Sequence, residues 1–234
     1  MINDTEKMEG HFREITSLIG ERSRSVMLWN LLDGRAYTAT ELAICAGISP
    51  QSASNHLSKL VKANVLATDN QGRHKYYRFR NDKVAQVMET IASLLPENSA
   101  AQKDPVPTSG VRYARTCYDH LAGRTGVLIT RAMLQKKVFT DKKDRYDVSP
   151  TGIKWFQEIG ISVDEVREMK RKFAYPCLDW SERKPHLGGA LGAALLNAFL
   201  AKDWIRKVKQ SREIIITGTG KKELGKLLGP GLFV

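Results

Sequence analysis

Residues 40–61 read TELAICAGISPQSASNHLSKLV, and this segment determines the architecture of the first part of the chain. The spacing of its first apolar residues predicts a helix that ends at Gly47. Ser49 then suits an N-cap and Pro50 the first turn of a second helix, whose apolar stripe begins at Leu57. The segment therefore predicts two helices joined by a tight glycine turn.

Further elements are predicted on both sides of this pair. Apolar residues at helical spacing predict two earlier helices, over residues 12–19 and 26–32. A hairpin is predicted around the polar turn at residues 69–72, because β-forming residues flank the turn. A closing helix is predicted over residues 84–95. Its broad apolar face has no partner nearby in the sequence, so we expect a dimer surface there.

The second helix of the pair has the side chains of a DNA-reading helix. Such a helix offers short polar side chains near its N-terminus, which reach base edges and phosphates in the major groove. Glutamine and asparagine can pair with adenine, and a basic hairpin can meet the DNA backbone or minor groove. Each feature alone fits an ordinary helix cap or a solvated hairpin, but their order within one segment favours DNA binding. The predicted DNA-contacting residues are Ser49, Gln51, Ser52, Ser54, Asn55, His56, Arg73, His74, Lys75 and Arg78.

This part of the chain, about residues 8–95, resembles the ArsR/SmtB family of winged-helix repressors. The similarity lies in Glu41-Leu42-Ala43, Gly47-Ile48-Ser49, Ser54-Asn55-His56-Leu57-Ser58-Lys59-Leu60 and Gly72-Arg73-His74-Lys75-Tyr76-Tyr77. The resemblance implies a homodimer that represses transcription and leaves its double-stranded DNA operator when an inducer binds. It also implies that His56 supports the helix or touches phosphate.

Two metal sites known from that family are absent from this sequence. Residues 36–40 contain no Cys-x-Cys, and residues 81–95 contain no histidine and no suitable pair of ligands. Cys45 lies on the apolar helix before the glycine turn, so we expect it to be a buried thiol.

Composition and charge constrain the class of protein. With 234 residues and 42% hydrophobic residues, the chain fits two or three small globular domains. No membrane helix and no secretory signal are expected, and three cysteines suit a reduced, cytoplasmic compartment. The net charge of +12 indicates a polyanionic partner. Residues 1–98 hold 12 Lys+Arg and 11 Asp+Glu, whereas residues 99–234 hold 25 and 14, so most of the excess lies in the second half.

The organisation we predict is mainly α-helical with small β-hairpins. Residues 1–96 form a winged helix-turn-helix domain for DNA binding and dimerisation, and the Pro- and Ser-containing residues 97–110 form a linker. Residues 111–234 form a C-terminal effector or dimer-stabilising domain with an internal repeat, because Cys-x-Asp followed by His-Leu-x-Gly-x-x-Gly occurs twice. We interpret the repeats, 111–165 and 174–229, as degenerate winged helices with two helices, a strand and a closing helix. The Gly-rich run at 217–222 would then be a wing tip.

The repeated residues suggest a site. They are Cys117, Asp119, His120, Cys177, Asp179 and His186. Two thiolates and two imidazoles are a ligand set for zinc, although no CxxC or HxxxH spacing supports a metal. The same residues could serve a small-molecule or redox effector, or be purely structural as caps, hydrogen-bond partners and core fillers.

Motifs of common enzymes, such as GxSxG, GxGxxG and HExxH, are missing from the sequence. We therefore predict a transcriptional regulator and no enzyme. The rival hypothesis is an enzyme or ligand-binding protein in which the repeat domain acts and the N-terminal module only assembles or targets it.

Overall fold

The chain divides into two compact units, Met1–Glu89 and Thr90–Val234. The structure is a computed structural model that describes residues 4–72, 74–95, 107–209 and 211–233. Most of the predicted linker, residues 97–106, lies outside the described residues, so the domain boundaries stay a prediction. No helix in the described part of the chain is long and apolar enough to cross a membrane.

The first part of the chain is a winged helix-turn-helix, which confirms the predicted fold class. Its sheet is antiparallel, with β3 between β1 and β2. The elements are α1 (Asp4–Gly20), α2 (Arg22–Leu31), β1 (Tyr37–Thr38), α3 (Ala39–Ala46), α4 (Pro50–Lys62), β2 (Leu66–Gln71), β3 (His74–Phe79) and α5 (Asp82–Ser93).

Local sequence signals fix the helix-turn-helix. Thr38 and Glu41 form a capping box at the start of α3, which satisfies backbone N–H groups of its first turn. Gly47 ends α3 with a left-handed φ of +65°, a conformation that favours glycine. Ser49 then caps α4 by accepting a hydrogen bond from the backbone N–H of Ser52 at 3.2 Å. Local residues therefore determine where α3 begins and ends and where α4 begins.

The second part of the chain contains one element order twice. We call residues 115–158 motif A and residues 175–228 motif B. Before motif A lies α6 (Gly110–Tyr113), and motif A contains β4 (Arg115–Cys117), β5 (His120–Ala122), α7 (Gly123–Gln135), β6 (Phe139–Asp141), β7 (Tyr146–Val148) and α8 (Pro150–Glu158). After α9 (Val163–Arg167), motif B contains β8 (Tyr175–Leu178), β9 (Pro185–Gly188), α10 (Gly189–Ala201), β10 (Ile205–Lys207), β11 (Ile214–Ile216) and α11 (Gly218–Leu228).

Each motif is therefore hairpin, helix, hairpin, helix, which differs from the predicted order of two helices, a strand and a closing helix. A strand follows α7 and α10 directly, because the β-forming residues there pair across a hairpin, as in Phe139 with Val148 and Ile205 with Ile216. The Gly-rich run at 217–222 is also no wing tip. It is the first turn of α11, capped by Thr217, whose hydroxyl accepts from the N–H of Gly220 at 2.9 Å.

The two motifs are packed crosswise. Helix α7 of motif A packs against β9 of motif B, α10 of motif B packs against β5 of motif A, and the strands β5 and β9 are neighbours. One apolar core, which includes the fully buried Phe139, Phe156 and Phe199, runs through both motifs. The crossed packing brings the Cys- and His-bearing hairpins of both motifs to one place.

Candidate functional site

The polar face of α4 is the first candidate site. The side chains of Gln51 and Asn55 are exposed and lie four residues apart, so they share one face of the helix, while Leu57 is fully buried on the other. Ser52 and Ser54 are half-buried, and the Ser54 hydroxyl donates to the carbonyl of Pro50 at 2.9 Å. The two amide side chains are thus the outermost of the predicted base-reading residues.

His56 is held from behind by the start of α2. Its Nδ1 lies 3.1 Å from Nη1 of Arg24 and 3.4 Å from Oε2 of Glu21. Glu21 also caps α2 through the N–H groups of Ser23 and Arg24, and these hydrogen bonds lower the pKa of its carboxyl group. His56 therefore positions α4 on α2, in line with the supporting role that the resemblance implies.

The hairpin of β2 and β3 presents part of the predicted basic group. His74 and Lys75 are exposed, and the Lys75 ammonium lies 5.5 Å from the centre of the Tyr77 ring. Arg78 is instead paired with Asp69 on the neighbouring strand, with 2.5 Å between Nε and Oδ2. Arg73 lies outside the described residues. The exposed positive charges of the described hairpin are therefore His74, when protonated, and Lys75.

Cys45 contradicts its prediction, because it is exposed on α3. The buried face of α3 runs through Leu42 and Ala43, and Ala46 is half-buried beside them. Cys45 lies next to Ile44 on the side that faces away from this core, and Ile44 is 75% exposed. The helical spacing of the apolar residues of α3 does not determine which of them are buried.

The second candidate site is a cluster of four side chains from motifs A and B. Cys117 faces His120 across the β4–β5 hairpin, and Cys177 faces His186 across the β8–β9 hairpin. One ligand atom from each of the four residues lies within 4.8 Å of all the others. The Nε2 atoms of the two histidines are 3.1 Å apart. The histidines are 1% and 0% exposed, so the imidazoles meet inside the protein.

The thiols and imidazoles of this cluster interact directly. The Cys117 thiol hydrogen-bonds with Cys177, and this bond together with burial raises the pKa of Cys117 to about 11, against the opposing effect of His120 and His186. As the structure stands, the cluster therefore holds a protonated thiol in contact with a second thiol and two imidazoles.

A carboxylate stands behind each imidazole. Oδ1 of Asp119 lies 3.5 Å from Nδ1 of His120, and Oδ2 of Asp179 lies 3.8 Å from Nδ1 of His186. Asp119 is half-exposed and ion-paired with Arg171, and this hydrogen-bonded pair lowers its pKa. The structure thus brings together all six residues that the sequence repeat singled out, four as the cluster and two behind it.

Asp179 is fully buried and has more hydrogen-bond partners than Asp119. It accepts hydrogen bonds from Nη2 of Arg115 at 2.9 Å, from the N–H of Gly123 at 2.7 Å and from the hydroxyl of Ser181 at 2.7 Å. Burial opposes its charge, but Arg115 and His186, with hydrogen bonds from Ser181 and Glu182, lower the pKa of Asp179 to about 2. The carboxylate therefore stays charged inside the core and joins the two motifs.

Arg115 is a residue that the sequence analysis missed. It is 1% exposed, and its guanidinium also lies over the Trp180 ring at 5.4 Å. The signal available in the sequence was an arginine two residues before a repeated Cys-x-Asp. Such an arginine cannot be told from a surface arginine until the partner carboxylate, 64 residues further on, is known.

Small residues on the two helices make room for the cluster. A Cβ atom at Gly126 of α7 would lie 2.4 Å from the carbonyl oxygen of Leu121 and 3.6 Å from Cβ of His186. A Cβ atom at Gly192 of α10 would lie 2.4 Å from the carbonyl oxygen of Leu187 and 3.0 Å from Cβ of His120. Gly192 therefore makes room for His120 of the other motif, whereas Gly126 is required by the close approach of Leu121 in its own motif.

The chain resembles known transcriptional regulators. It is 39% identical over 215 residues to the uncharacterized HTH-type transcriptional regulator YdfF of Bacillus subtilis, a match that covers 92% of this chain and 95% of YdfF. The HTH-type transcriptional regulator KmtR of Mycobacterium tuberculosis is 33% identical over 75 residues, or 32% of this chain and 57% of KmtR. Among solved structures, NolR from Sinorhizobium fredii is 21% identical, with a TM-score of 0.36, and the match covers 40% of this chain and 93% of NolR. No protein-family model matches the chain. The YdfF match extends over both units.

Proposed function

The chain belongs to the family of HTH-type transcriptional regulators, and we propose that it is a homodimeric repressor whose C-terminal unit senses an effector. It is a DNA-binding protein, and the observation that carries the proposal is the face of α4. There, Gln51 and Asn55 are exposed on a helix whose opposite side is fixed in the core. An exposed pair of amide side chains on such a helix suits the reading of adenine bases in the major groove.

The DNA contacts follow from this placement. Helix α4 has 13 residues, and its N-terminus, capped by Ser49, can approach a phosphate. Ser52 and Ser54 lie on the first turns and contact the edge of the groove, while His56 positions the helix. His74 and Lys75 on the hairpin contact the DNA backbone; Arg78 joins them only by exchanging Asp69 for a phosphate.

Self-association is supported by apolar side chains that are exposed to solvent in the single chain. On α1, Met8 and Phe12 are 72% and 71% exposed, and on α5, Val87 and Ile91 are 54% and 42% exposed. Exposed apolar residues repeated along a helix mark an interaction surface, and a second copy of the chain is the partner that a two-fold operator requires. We infer that α1 and α5 form the dimer surface.

The C-terminal unit acts on DNA binding without catalysing a reaction. Its buried cluster lies next to a cavity of only about 10 Å³, lined by Gly126, Gly192 and neighbouring leucines, which is too small for an organic substrate. An effector bound at the cluster changes the packing of the two motifs. It releases the operator by favouring a dimer whose reading helices no longer match the spacing of the half-sites.

A gel-shift experiment tests the repressor. The full chain is incubated with fragments of the source genome at physiological salt, and retained fragments are mapped by footprinting. We expect selective retention of fragments that contain a two-fold repeated site, and we expect repression of a reporter placed behind that site. Retention that does not depend on sequence, or activation of the reporter, would contradict the proposal.

A further inference from the structure

We propose that Cys117, His120, Cys177 and His186 form a tetrahedral Zn²⁺ site that joins motif A to motif B. Each motif supplies one thiolate and one imidazole from a single hairpin. Two thiolates and two imidazoles are the ligand set of many tetrahedral zinc sites. The zinc site itself does not depend on the proposed function; only the further claim that Zn²⁺ is the effector rests on it.

The spacing of the ligand atoms fits such an ion. With Zn–N distances of about 2.05 Å, two nitrogen ligands of a tetrahedral zinc are about 3.3 Å apart. The two Nε2 atoms are 3.1 Å apart in the structure. The remaining ligand atoms are within 4.8 Å of one another, so small side-chain movements bring both sulfurs to bonding distance.

The surroundings of the imidazoles favour the tautomer that a metal needs. The Nδ1 atoms of His120 and His186 are buried and have no hydrogen-bond partner, and each faces a carboxylate oxygen, at 3.5 and 3.8 Å. A proton on Nδ1 is attracted by that carboxylate, which leaves the lone pair on Nε2. The two Nε2 atoms are 3.1 Å apart, which without a metal is the distance of a hydrogen bond between the rings; with both protons on Nδ1, both Nε2 lone pairs are free to bind one cation.

Asp119 and Asp179 would be the outer partners of the metal ligands. Carboxylates that orient zinc-bound histidines through the second ring nitrogen are a common feature of zinc sites. Asp179 is fixed by Arg115, Gly123 and Ser181, so it holds His186 in place. Asp119 is half-exposed and is held mainly by its ion pair with Arg171. The two halves of the site thus have matching ligands and unequal support.

The space beside the site suits a small ligand. Gly192 allows the close approach of His120, and the adjacent cavity has a volume of about 10 Å³. An ion that replaces two thiol protons needs no further space. Binding proceeds as Zn²⁺ plus two Cys–SH giving one Zn(S–Cys)₂ unit and two protons released to solvent, while both imidazoles bind as neutral ligands.

Metal content and cysteine protection test the site. The full chain is purified without chelator, and its zinc is measured; a metal-stripped sample is then titrated with Co²⁺. We expect one zinc per chain, and a tetrahedral Co²⁺ spectrum with a thiolate charge-transfer band. Cys117→Ser and Cys177→Ser should each reduce the affinity for the ion at least about 10-fold, whereas Cys45→Ser, on the exposed face of α3, should bind as the wild type does.

A second measurement does not depend on variants that could misfold. In the wild-type chain, bound Zn²⁺ should protect Cys117 and Cys177 from alkylation, and Cys45 should react in both states as an internal control. A chain without zinc that takes up no Co²⁺, or equal alkylation of all three cysteines with and without zinc, would overturn the inference. A Cys117–Cys177 disulfide in place of the ion would also overturn it and would indicate a redox effector.

The operator assay separates this inference from the proposed function. Zinc-loaded and stripped protein are compared on one operator fragment, and we expect loading to weaken binding at least about 5-fold. Bound zinc with no operator binding in either state leaves the site intact and contradicts the repressor. Operator binding by a chain that takes up no zinc even when zinc is supplied contradicts the site alone. Equal operator affinity with and without zinc contradicts the claim that Zn²⁺ is the effector.

Discussion

The two units of the chain hold their polar functional residues in opposite ways. In the N-terminal unit, the groups proposed to act, such as Gln51 and Asn55, point into water from a helix with an apolar back. In the C-terminal unit, His120, His186 and Asp179 are inside the core. A surface site can lose a side chain without disturbing the fold, whereas a buried polar site contributes to both stability and function. The variants below separate the two situations.

The largest effect is expected from Asp179→Asn. The change leaves the Arg115 guanidinium buried without its counter-charge, which should lower the free energy of unfolding by about 3–5 kcal/mol. The matched control is Asp119→Asn at the equivalent position of motif A. Its ion pair with Arg171 is half-exposed, so less than about 1 kcal/mol should be lost. Chemical denaturation in the presence of chelator measures both, and equal losses would show that burial does not distinguish the two aspartates.

A smaller loss is expected from Gly152→Ala in motif A. The added Cβ would lie 1.8 Å from the carbonyl oxygen of Val138, so the first turn of α8 must move away from Val138, at a cost of about 1–3 kcal/mol. Gly225→Ala is the control, because no atom lies within 4 Å of its added Cβ and it lies inside α11. That variant should gain up to about 1 kcal/mol from helix propensity. Thermal unfolding measures both, and a stable Gly152→Ala protein would contradict the close contact.

For the N-terminal unit, Asn55→Ala and Gln51→Ala should act on DNA binding only. Each should weaken binding to the selected operator by about 1–3 kcal/mol and relax the preference for one base pair, with the unfolding free energy unchanged. Gln157→Ala removes an exposed glutamine from α8 in the other unit and should leave the affinity as it is. The same loss on unrelated DNA would show that these side chains do not read bases.

The smallest effect is expected from Lys75→Ala. It should weaken binding to all DNA sequences alike and reduce the slope of log K against log salt by about 1, because one phosphate contact is lost. Lys154→Ala removes an exposed lysine of α8 and tests whether the basic second half also meets the DNA. We expect no change in slope for Lys154→Ala; an equal change would place both halves on the DNA.

The first unit could be predicted from its sequence because its signals are local. Gly47 and Ser49 act within four residues of their partners, and the structure places both of them as the sequence predicts. Burial was harder to predict, as Cys45 shows, because it depends on which neighbours cover a helix. His56 shows the same limit, since its partners lie 32 and 35 residues away on α2 and at its cap.

The second unit could be predicted only in part. The repeated Cys-x-Asp and His-Leu pattern identified the residues that come together, since a repeat places equivalent side chains in equivalent positions. The element order differs from the prediction, because the hairpins β4–β5 and β8–β9 depend on strand pairing and on contacts with the other motif, which the sequence does not show. Arg115 could not be recognised for the same reason, because its role depends on the carboxylate of Asp179 in the other motif.

The crossed packing makes motifs A and B resemble a domain-swapped dimer that has been joined into one polypeptide. Helix α7 packs more extensively on β9 of motif B than on β5 of its own motif, and α10 packs more extensively on β5 than on β9, so each long helix has its main hairpin partner in the other motif. A fragment that carries one motif should therefore stay unfolded, whereas two fragments divided between α9 and β8 should reassemble when mixed, a result that circular dichroism of the separate and combined fragments would reveal. In the intact chain, a substitution that loosens the packing of one motif should therefore also loosen the packing of the other.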